Sequence, residues 1–181
     1  MDANNIKIIK VRWERPPYPF IKINTDGSYT NKRAGIGVIF RDHIGHTLLF
    51  YKAPYIAEDA LEIEVAALYS ALKFAKDNKW KWISVEVDSS LLVELLTIKI
   101  SSPWHINQWI HKIKNFSLEI KIHFSFVYRE VNKPANFLAM EGANAEHAEV
   151  STTLSPPLHL LTQGDKLQIP YLRVQKQMLG P

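Results

Sequence analysis

The fold is decided by residues 20–51, FIKINTDGSYTNKRAGIGVIFRDHIGHTLLFY, which contain three β-rich runs in close succession. The runs occupy residues 20–24, 34–40 and 47–51. Their β-branched and aromatic side chains favour strands. Small and turn-prone residues at 25–28, TDGS, are expected to interrupt or bulge the first strand. Residues 41–46, RDHIGH, suit a tight reverse connection. The stretch therefore predicts a three-stranded antiparallel meander.

After the meander the apolar residues change period, which indicates helices alternating with further strands. Leu61, Val65, Leu68 and Leu72 recur at steps of three and four residues, as on the buried face of a helix. The same reasoning predicts helices over about 59–77, from Ser89 through Leu96, after Pro103, and from Asn132 to Gly142, and strands over 82–88 and 120–126. The predicted element order is βββαβααβα, an α/β fold.

Length and composition favour one ordinary globular domain with extensions at both ends. The chain has 181 residues, of which 46% are hydrophobic and 22% are charged, far from the composition of a disordered chain. We expect a proline-rich leader over 1–19, a domain over 20–142 and an irregular tail over 143–181. The absence of cysteine excludes disulfide scaffolds, thiolate metal sites and cysteine nucleophiles. Any metal here needs oxygen or imidazole ligands.

The charge distribution suggests where an anionic partner could bind. The formal net charge is +4, and residues 99–133 hold six basic side chains against two acids. The basic residues are Lys99, Lys112, Lys114, Lys121, Arg129 and Lys133. Such a segment can attract phosphates, but a solvated amphipathic helix gives the same pattern. The sequence shows neither a signal-peptide core nor the roughly 18 consecutive apolar residues of a membrane span, so we expect an intracellular protein, nuclear or cytoplasmic, without a membrane partner.

Three acidic residues stand where an acid needs an explanation. Asp26 follows the first strand of the meander, Asp88 closes the fourth strand, and Glu64 lies on the inner side of the long helix. Taken singly, they could be a turn residue, a helix cap and a surface glutamate. If the first and fourth strands are neighbours, however, the three carboxylates meet, and their mutual repulsion would call for a cation. An oxygen-seeking ion such as Mg²⁺ or Mn²⁺ fits.

The order of these acids and of the residues around them resembles the type 1 ribonuclease H superfamily, over about residues 20–142. Within that superfamily the chain is similar to the plant reverse-transcriptase-like domains of retroelements and of genes derived from them. The resemblance is carried by TDGS (25–28), AGIGVIFRD (34–42) with Gly45, LEIEVAAL (61–68), VEVDS (85–89) and REVNKPANFLA (129–139).

The resemblance implies both an architecture and a chemistry. The architecture is a five-stranded mixed sheet, three strands antiparallel and two parallel, flanked by helices. The chemistry is hydrolysis of the RNA strand of an RNA–DNA hybrid with two Mg²⁺ ions, one activating the attacking water and the other stabilising the leaving oxygen. By residue-by-residue correspondence, Asp26 would bridge both ions, Glu64 and Asp88 would hold the leaving-group ion, and the fourth catalytic position would be Asn136. One or two ions are expected in this chain.

Two departures from the family pattern bear on activity. Asn136 offers one carbonyl oxygen and no charge, so the nucleophile-side ion loses a carboxylate. Phe126 stands where many members carry a histidine, and its ring, which suits the apolar face of the fifth strand, cannot titrate. A weakened metal-dependent endonuclease and a catalytically inactive nucleic-acid-binding module are therefore both open. A fold relic that mediates protein contacts is a third reading.

The same sequence blocks supply the residues that we expect to contact nucleic acid. They are Gly27, Ser28, Gly35, Gly37, Ser89, Arg129 and Asn132. Gly35 and Gly37, without side chains, could let a sugar–phosphate backbone come close, although a twist or bulge of the strand would explain them equally well.

Overall fold

The computed structural model describes residues 6–30, 33–98 and 100–176. Over these residues the elements are β1 (Ile6–Val11), β2 (Ile21–Thr30), β3 (Arg33–Arg41), β4 (Thr47–Tyr55), α1 (Ala60–Asp77), β5 (Trp82–Val87), α2 (Ser90–Thr97), α3 (Trp104–Phe116), β6 (Lys121–Phe126), α4 (Lys133–Asn144), β7 (Glu149–Ser151), α5 (Pro156–Lys166) and β8 (Tyr171–Lys176). None of the described helices is long and apolar enough to span a membrane.

The main sheet confirms the predicted five strands and adds a sixth. Its order is β6-β5-β2-β3-β4-β7. Strands β2, β3 and β4 form the antiparallel meander, and β5 and β6 continue the sheet in parallel. The extra strand, β7, pairs with β4 at the edge through only three residues, too few to show a period in the sequence.

Each face of the meander packs against its own helices, because successive strand residues point to opposite faces. Ile36, Val38 and Phe40 of β3 join the core beneath α1, α2 and α3. Ile39 faces the other side and packs with Leu138 of α4 and Leu158 of α5. The sheet is therefore buried on both faces at β2 and β3, the strands that carry the candidate site.

Gly35 and Gly37 allow α4 to lie directly on the sheet. A Cβ atom at Gly35 would be 2.0 Å from the backbone nitrogen of Ala143, and one at Gly37 would be 2.2 Å from the carbonyl oxygen of Ala135. Both glycines are buried, and β3 lies between β2 and β4 rather than at an edge. The space left by their missing side chains is thus filled by a helix, which corrects the expectation that it opens toward nucleic acid.

The described residues near both ends of the chain, 6–11, 156–166 and 171–176, form regular elements, which corrects the expected irregular tail. Strands β1 and β8 pair antiparallel in a separate sheet, with Ile6 opposite Lys176 and Val11 opposite Tyr171. Between them in sequence, α5 packs on the domain through Leu158. The partner of β1 lies some 160 residues away, so neither strand shows its pairing locally. Residues 1–5 of the leader and 177–181 of the tail lie outside the described residues.

A buried polar network joins both ends to the main sheet. The Arg41 guanidinium at the end of β3 donates from Nη1 to Oδ2 of Asp165 over 2.6 Å and from Nη2 to Oδ1 of Asn24 over 2.8 Å. It also stacks on the indole of Trp13, 3.9 Å from the ring centroid. The Tyr171 hydroxyl donates to the other Asp165 oxygen over 2.8 Å. Leader, β3, α5 and β8 therefore converge on one fully buried ion pair.

Candidate active site

The topology brings Asp26, Glu64 and Asp88 together. Strands β2 and β5 are parallel neighbours with Asn24 opposite Glu86, so Asp26 and Asp88, each two residues further along, reach the same end of the sheet. Glu64 approaches from the second turn of α1. One carboxylate oxygen from each acid lies within 4.8 Å of the other two. Carboxylate oxygens this close together can bind one cation.

Asp26 lies inside β2 rather than after it, because the TDGS segment continues the strand. Asp26 pairs with Gly37 in an uninterrupted antiparallel register that runs to Thr30. The adjacent Gly27 amide donates to Oδ1 of Asp26 over 2.9 Å and to Oε1 of Glu64 over 3.3 Å. A Cβ atom at Gly27 would lie 2.7 Å from Cγ2 of Ile63, so the glycine also lets α1 approach β2 closely enough to deliver Glu64.

The three carboxyls share an environment that disfavours their ionised forms. Burial raises the pKa of Asp26, although hydrogen bonds from its neighbours oppose the shift. Burial and the charge of Asp26 raise the pKa of Glu64 well above its ordinary value. The same two causes raise the pKa of Asp88 to about 6. The cluster thus favours uptake of protons or of a cation.

The raised pKa of Asp88 predicts that the metal-free protein gains stability on mild acidification. The pKa of an aspartate in an unfolded chain is about 3.9. Between about pH 4 and pH 6 the folded state therefore binds the Asp88 proton more tightly than the unfolded state does. The free energy of unfolding should therefore rise as the pH falls through about 6, and fall as the pH rises through it. Urea denaturation in a chelating buffer measures the slope, and Asp88→Asn should reduce it, while Asp26 and Glu64, whose pKa values are also raised, account for the slope that remains. An unchanged slope in this variant would contradict the assignment.

Asn136, in the first half of α4, donates a hydrogen bond to the acidic cluster. Its Nδ2 donates to Oδ2 of Asp26 over 2.7 Å. An ionised carboxylate only accepts hydrogen bonds, so the amide must turn its NH₂ group toward Asp26. Asn136 therefore presents to Asp26 an NH₂ group, which cannot ligate a cation, whereas a carboxylate at this position would offer oxygen ligands.

An open groove of about 910 Å³ lies above the acids. Of the residues expected to contact nucleic acid, its walls include Gly27, Ser28, Ser89 and Arg129. Arg129 is exposed, and its positive charge opposes the raised pKa of both Asp26 and Asp88, which places the guanidinium near the carboxylates. Among the described basic residues of segment 99–133, Arg129 is the one that lines the groove. Lys99 lies outside the described residues.

Asn132 is a structural residue rather than a groove residue. It is fully buried, donates from Nδ2 to the carbonyl oxygen of Thr25 over 2.9 Å, and accepts at Oδ1 from Asn24 over 3.2 Å. These bonds tie the start of α4 to β2 beside Asp26. The expected contact with nucleic acid is therefore wrong for Asn132, because a buried amide with both ends paired cannot reach a ligand.

Phe126 and several unforeseen residues complete the surroundings. The prediction of an apolar face for Phe126 is wrong, because its side chain is 45% exposed at the end of β6. Its ring packs edge-on against Tyr128, with 5.4 Å between centroids. The groove is also lined by Tyr29, Arg33, Leu91, Met140 and Asn144, none of which lies in the sequence blocks that carry the family resemblance. Arg33 donates to Oδ1 of Asn144 over 3.1 Å across the groove rim. Arg33 is the first residue of β3 and pairs with Thr30 of β2, a position near the acids that depends on strand pairing and not on a local motif.

Comparison with known proteins agrees with this geometry. The family model described as reverse transcriptase-like matches residues 24–142, the stretch that contains every acid of the cluster and Asn136. The chain belongs to this reverse transcriptase-like family. A protein of Arabidopsis thaliana named "Putative ribonuclease H protein" is 27% identical over 132 residues. That match covers 71% of this chain, which spans about a fifth of the relative's length, 21%.

Solved structures place this member of the reverse transcriptase-like family in the ribonuclease H-like fold. The ribonuclease H1 of the archaeon Halobacterium salinarum superposes with a TM-score of 0.65 at 19% identity, covering 69% of this chain and 98% of its own. LC11-RNase H1, isolated from compost and solved in complex with an RNA/DNA hybrid, has a TM-score of 0.61 at 27% identity, covering 68% of this chain and 96% of its own.

Proposed function

We propose that this protein is a metal-dependent endonuclease of the ribonuclease H type, which hydrolyses the RNA strand of RNA–DNA hybrids at a rate limited by Asn136. The observation that carries the proposal is the convergence of Asp26, Glu64 and Asp88 at the base of an open groove. The similarity to LC11-RNase H1, a protein solved with a bound hybrid, supports the choice of substrate.

The residues present fit a divalent, oxygen-preferring ion such as Mg²⁺ or Mn²⁺. All three ligands are carboxylates, and Oε2 of Glu64 is buried without a hydrogen-bond partner among the described residues. A buried polar atom without a partner is costly, so an ion held by Asp26, Glu64 and Asp88 would remove that cost together with the repulsion among the carboxyls. When bound, such an ion supplies polarisation of the scissile phosphate and a more acidic water.

The chain's own groups would hold the substrate over these acids. Arg129 offers a cation to the phosphate backbone, and Gly27, Ser28 and Ser89 form the adjoining wall. The Ser89 hydroxyl already accepts a hydrogen bond from the Leu92 amide over 3.2 Å, which caps α2. Contacts of this kind bind nucleic acid through its backbone and independently of base sequence. We therefore expect hybrid recognition by shape and charge.

A second candidate, a catalytically inactive nucleic-acid-binding module, is favoured by the Asn136 contact. The amide of Asn136 donates to Asp26 instead of presenting a charged ligand. Phe126 provides no titratable group at the exit of β6. The groove, Arg129 and the fold would serve a binding module as well as a nuclease. The two candidates therefore differ in whether the bound hybrid is cleaved and not in the affinity for it.

The test is an assay of purified protein with a hybrid labelled on its RNA strand, in Mg²⁺, in Mn²⁺ and in chelator. The nuclease proposal expects internal cleavage of the RNA strand only with a divalent ion, and no cleavage of single-stranded RNA or of DNA duplex. Hybrid binding by fluorescence anisotropy without cleavage in either ion would overturn it in favour of the binding module. Neither binding nor cleavage would overturn both.

Asn136→Asp is expected to raise hybrid cleavage about tenfold to a hundredfold, because it adds a charged oxygen ligand beside Asp26. Single-turnover rates at saturating protein measure the change. Asn144→Asp is the matched control, since it adds the same charge to α4 two turns further along, where the side chain bonds Arg33. Equal effects of the two changes would show that charge in the groove, and not a ligand at position 136, controls the rate.

A further inference from the structure

The loop between β6 and α4 carries Arg129 and is closed by its own backbone. The amide of Val131 donates to the carbonyl oxygen of Tyr128 over 2.8 Å, and the amide of Asn132 donates to the same oxygen over 3.2 Å. The Arg129 side chain leaves this turn and extends, exposed, into the groove. A loose turn would add backbone freedom to the rotamer freedom of the Arg129 side chain, so a firmly held turn restricts where the guanidinium can lie.

Arg173 of β8 holds the two residues on either side of Arg129. Its Nη1 donates to both carboxylate oxygens of Glu130, each over 2.9 Å. Its guanidinium also lies over the ring of Tyr128, 4.2 Å from the centroid. Both partners of this ion pair are about two-thirds buried, so the pair is stronger than a fully exposed one.

Strand β8 is itself fixed at several points. It pairs with β1 along its whole length, and its Tyr171 hydroxyl donates to the buried Asp165. The ammonium of Lys133, the first residue of α4, lies over the Tyr171 ring at 4.7 Å from the centroid. Residues 128, 130 and 133 are therefore all contacted by one strand that lies beyond the matched family region, 24–142.

We infer that Arg173 is a positioning residue that holds the Tyr128–Glu130 turn so that Arg129 faces the nucleic-acid backbone. The inference rests on the proposed function, and it gives β8 an indirect role in binding of the hybrid. Arg173 does not line the groove, so it acts through the turn.

The variant Glu130→Ala distinguishes positioning of the turn from a general effect of charge. The two explanations predict opposite changes in the affinity for nucleic acid. Removal of an acid near the groove should tighten binding of a polyanion if charge alone matters. Removal of the carboxylate that Arg173 grips should weaken binding if the turn must be held. Glu130→Ala thus gives opposite results under the two explanations.

The experiment measures the dissociation constant of a fluorescein-labelled RNA–DNA hybrid at several salt concentrations, for the full chain and its variants. Arg173→Ala and Glu130→Ala should each weaken binding about fivefold, and the double variant should be no worse than either single variant. Neither change should add to Arg129→Ala, which removes the contact itself and lowers the salt slope by about one. In Arg173→Ala and Glu130→Ala, the rate constant for cleavage of saturated hybrid should stay within about twofold, as expected for a positioning effect on binding.

Two controls match the charge changes. Lys10→Ala removes an exposed cation from the opposite face of the β1–β8 sheet, since Lys10 pairs with Leu172 and Arg173 with Ile9. Glu146→Ala removes an exposed acid beyond α4. Neither should weaken binding. Tighter binding in Glu130→Ala, or additive effects of Arg173→Ala and Arg129→Ala, would overturn the inference.

Hydrogen exchange at Val131 and Asn132 provides a readout that needs no nucleic acid. Arg173→Ala should speed exchange of these amides about tenfold in the free protein, whereas Lys10→Ala should leave them unchanged. Unchanged exchange in Arg173→Ala would overturn the inference whatever the binding results. A wild-type chain that binds no hybrid would instead contradict the proposed function, and exchange would still decide whether Arg173 orders the turn.

Discussion

Asp26→Asn is expected to lower metal-dependent cleavage of RNA–DNA hybrid at least about a thousandfold. Asp26 is the buried member of the cluster: its Oδ1 shares the Gly27 amide with Glu64, and its Oδ2 accepts a hydrogen bond directly from Asn136. Replacement with asparagine removes one charge without changing the volume of the side chain. Loss of a group that holds charge against the reacting phosphate commonly costs two to three orders of magnitude, and loss of the ion costs more.

The same substitution should leave the protein at least as stable as wild type, so that lost activity is not mistaken for lost structure. Burial raises the pKa of Asp26, and the ionised Asp26 in turn raises the pKa of Glu64 and Asp88. Asparagine at this position ends that repulsion. Thermal unfolding in chelator should therefore give an equal or higher midpoint for Asp26→Asn. Mg²⁺ is expected to raise the midpoint of wild type but not that of Asp26→Asn.

Asp42→Asn is the matched control. Oδ1 of Asp42 accepts from the amides of Ile44 and His46 in the β3–β4 turn, and asparagine can accept the same bonds. The charge change is identical but remote from the groove. Full cleavage by Asp26→Asn, or equal loss in both variants, would contradict the assignment of Asp26 as a metal ligand.

The candidate site was predictable because its parts are marked locally. Each acid stands at the transition between an apolar strand or helix face and polar residues, and the strand order brings these transitions together. Residues 25–28 illustrate the limit of local signals. Gly27 suggested an interruption of β2, yet it continues the strand and makes room for Ile63.

Long-range partners explain most of what the sequence could not show. A glycine in a strand does not reveal whether its free space admits a ligand or a helix, and at Gly35 and Gly37 the answer depends on α4, about 100 residues away. Asn132 looks like a polar residue at a helix start, but its buried partners lie on β2. Lys22 and Asn24 alternate with apolar residues in the sequence, but the sequence does not show that both are buried. In the fold they face Trp13 of the leader and Glu86 of β5.

Asp165→Ala is expected to lower the free energy of unfolding by about 3–5 kcal/mol, the usual cost of leaving one partner of a buried ion pair without the other. Arg41 and Asp165 are both fully buried. Burial raises the pKa of the Asp165 carboxyl, and the Arg41 guanidinium opposes that shift. Without Asp165, the guanidinium would keep Asn24 and the face of Trp13 but lose its counter-charge. Since domains of this size are commonly stable by about 5–15 kcal/mol, urea denaturation should register a large drop.

Two further variants distinguish loss of the ion pair from loss of packing. Tyr171→Phe removes one hydroxyl bond to Asp165 and should cost only about 1 kcal/mol, since Arg41 remains paired. The double change Arg41→Met with Asp165→Leu removes both charges and should recover much of the stability lost in Asp165→Ala. If Asp165→Ala does not fold, this recovery still tests the argument, because an apolar pair restores folding only when the unpaired charge is the cause. A loss below about 1 kcal/mol in Asp165→Ala would mean that the ends of the chain are held mainly by the β1–β8 pairing and by Leu158.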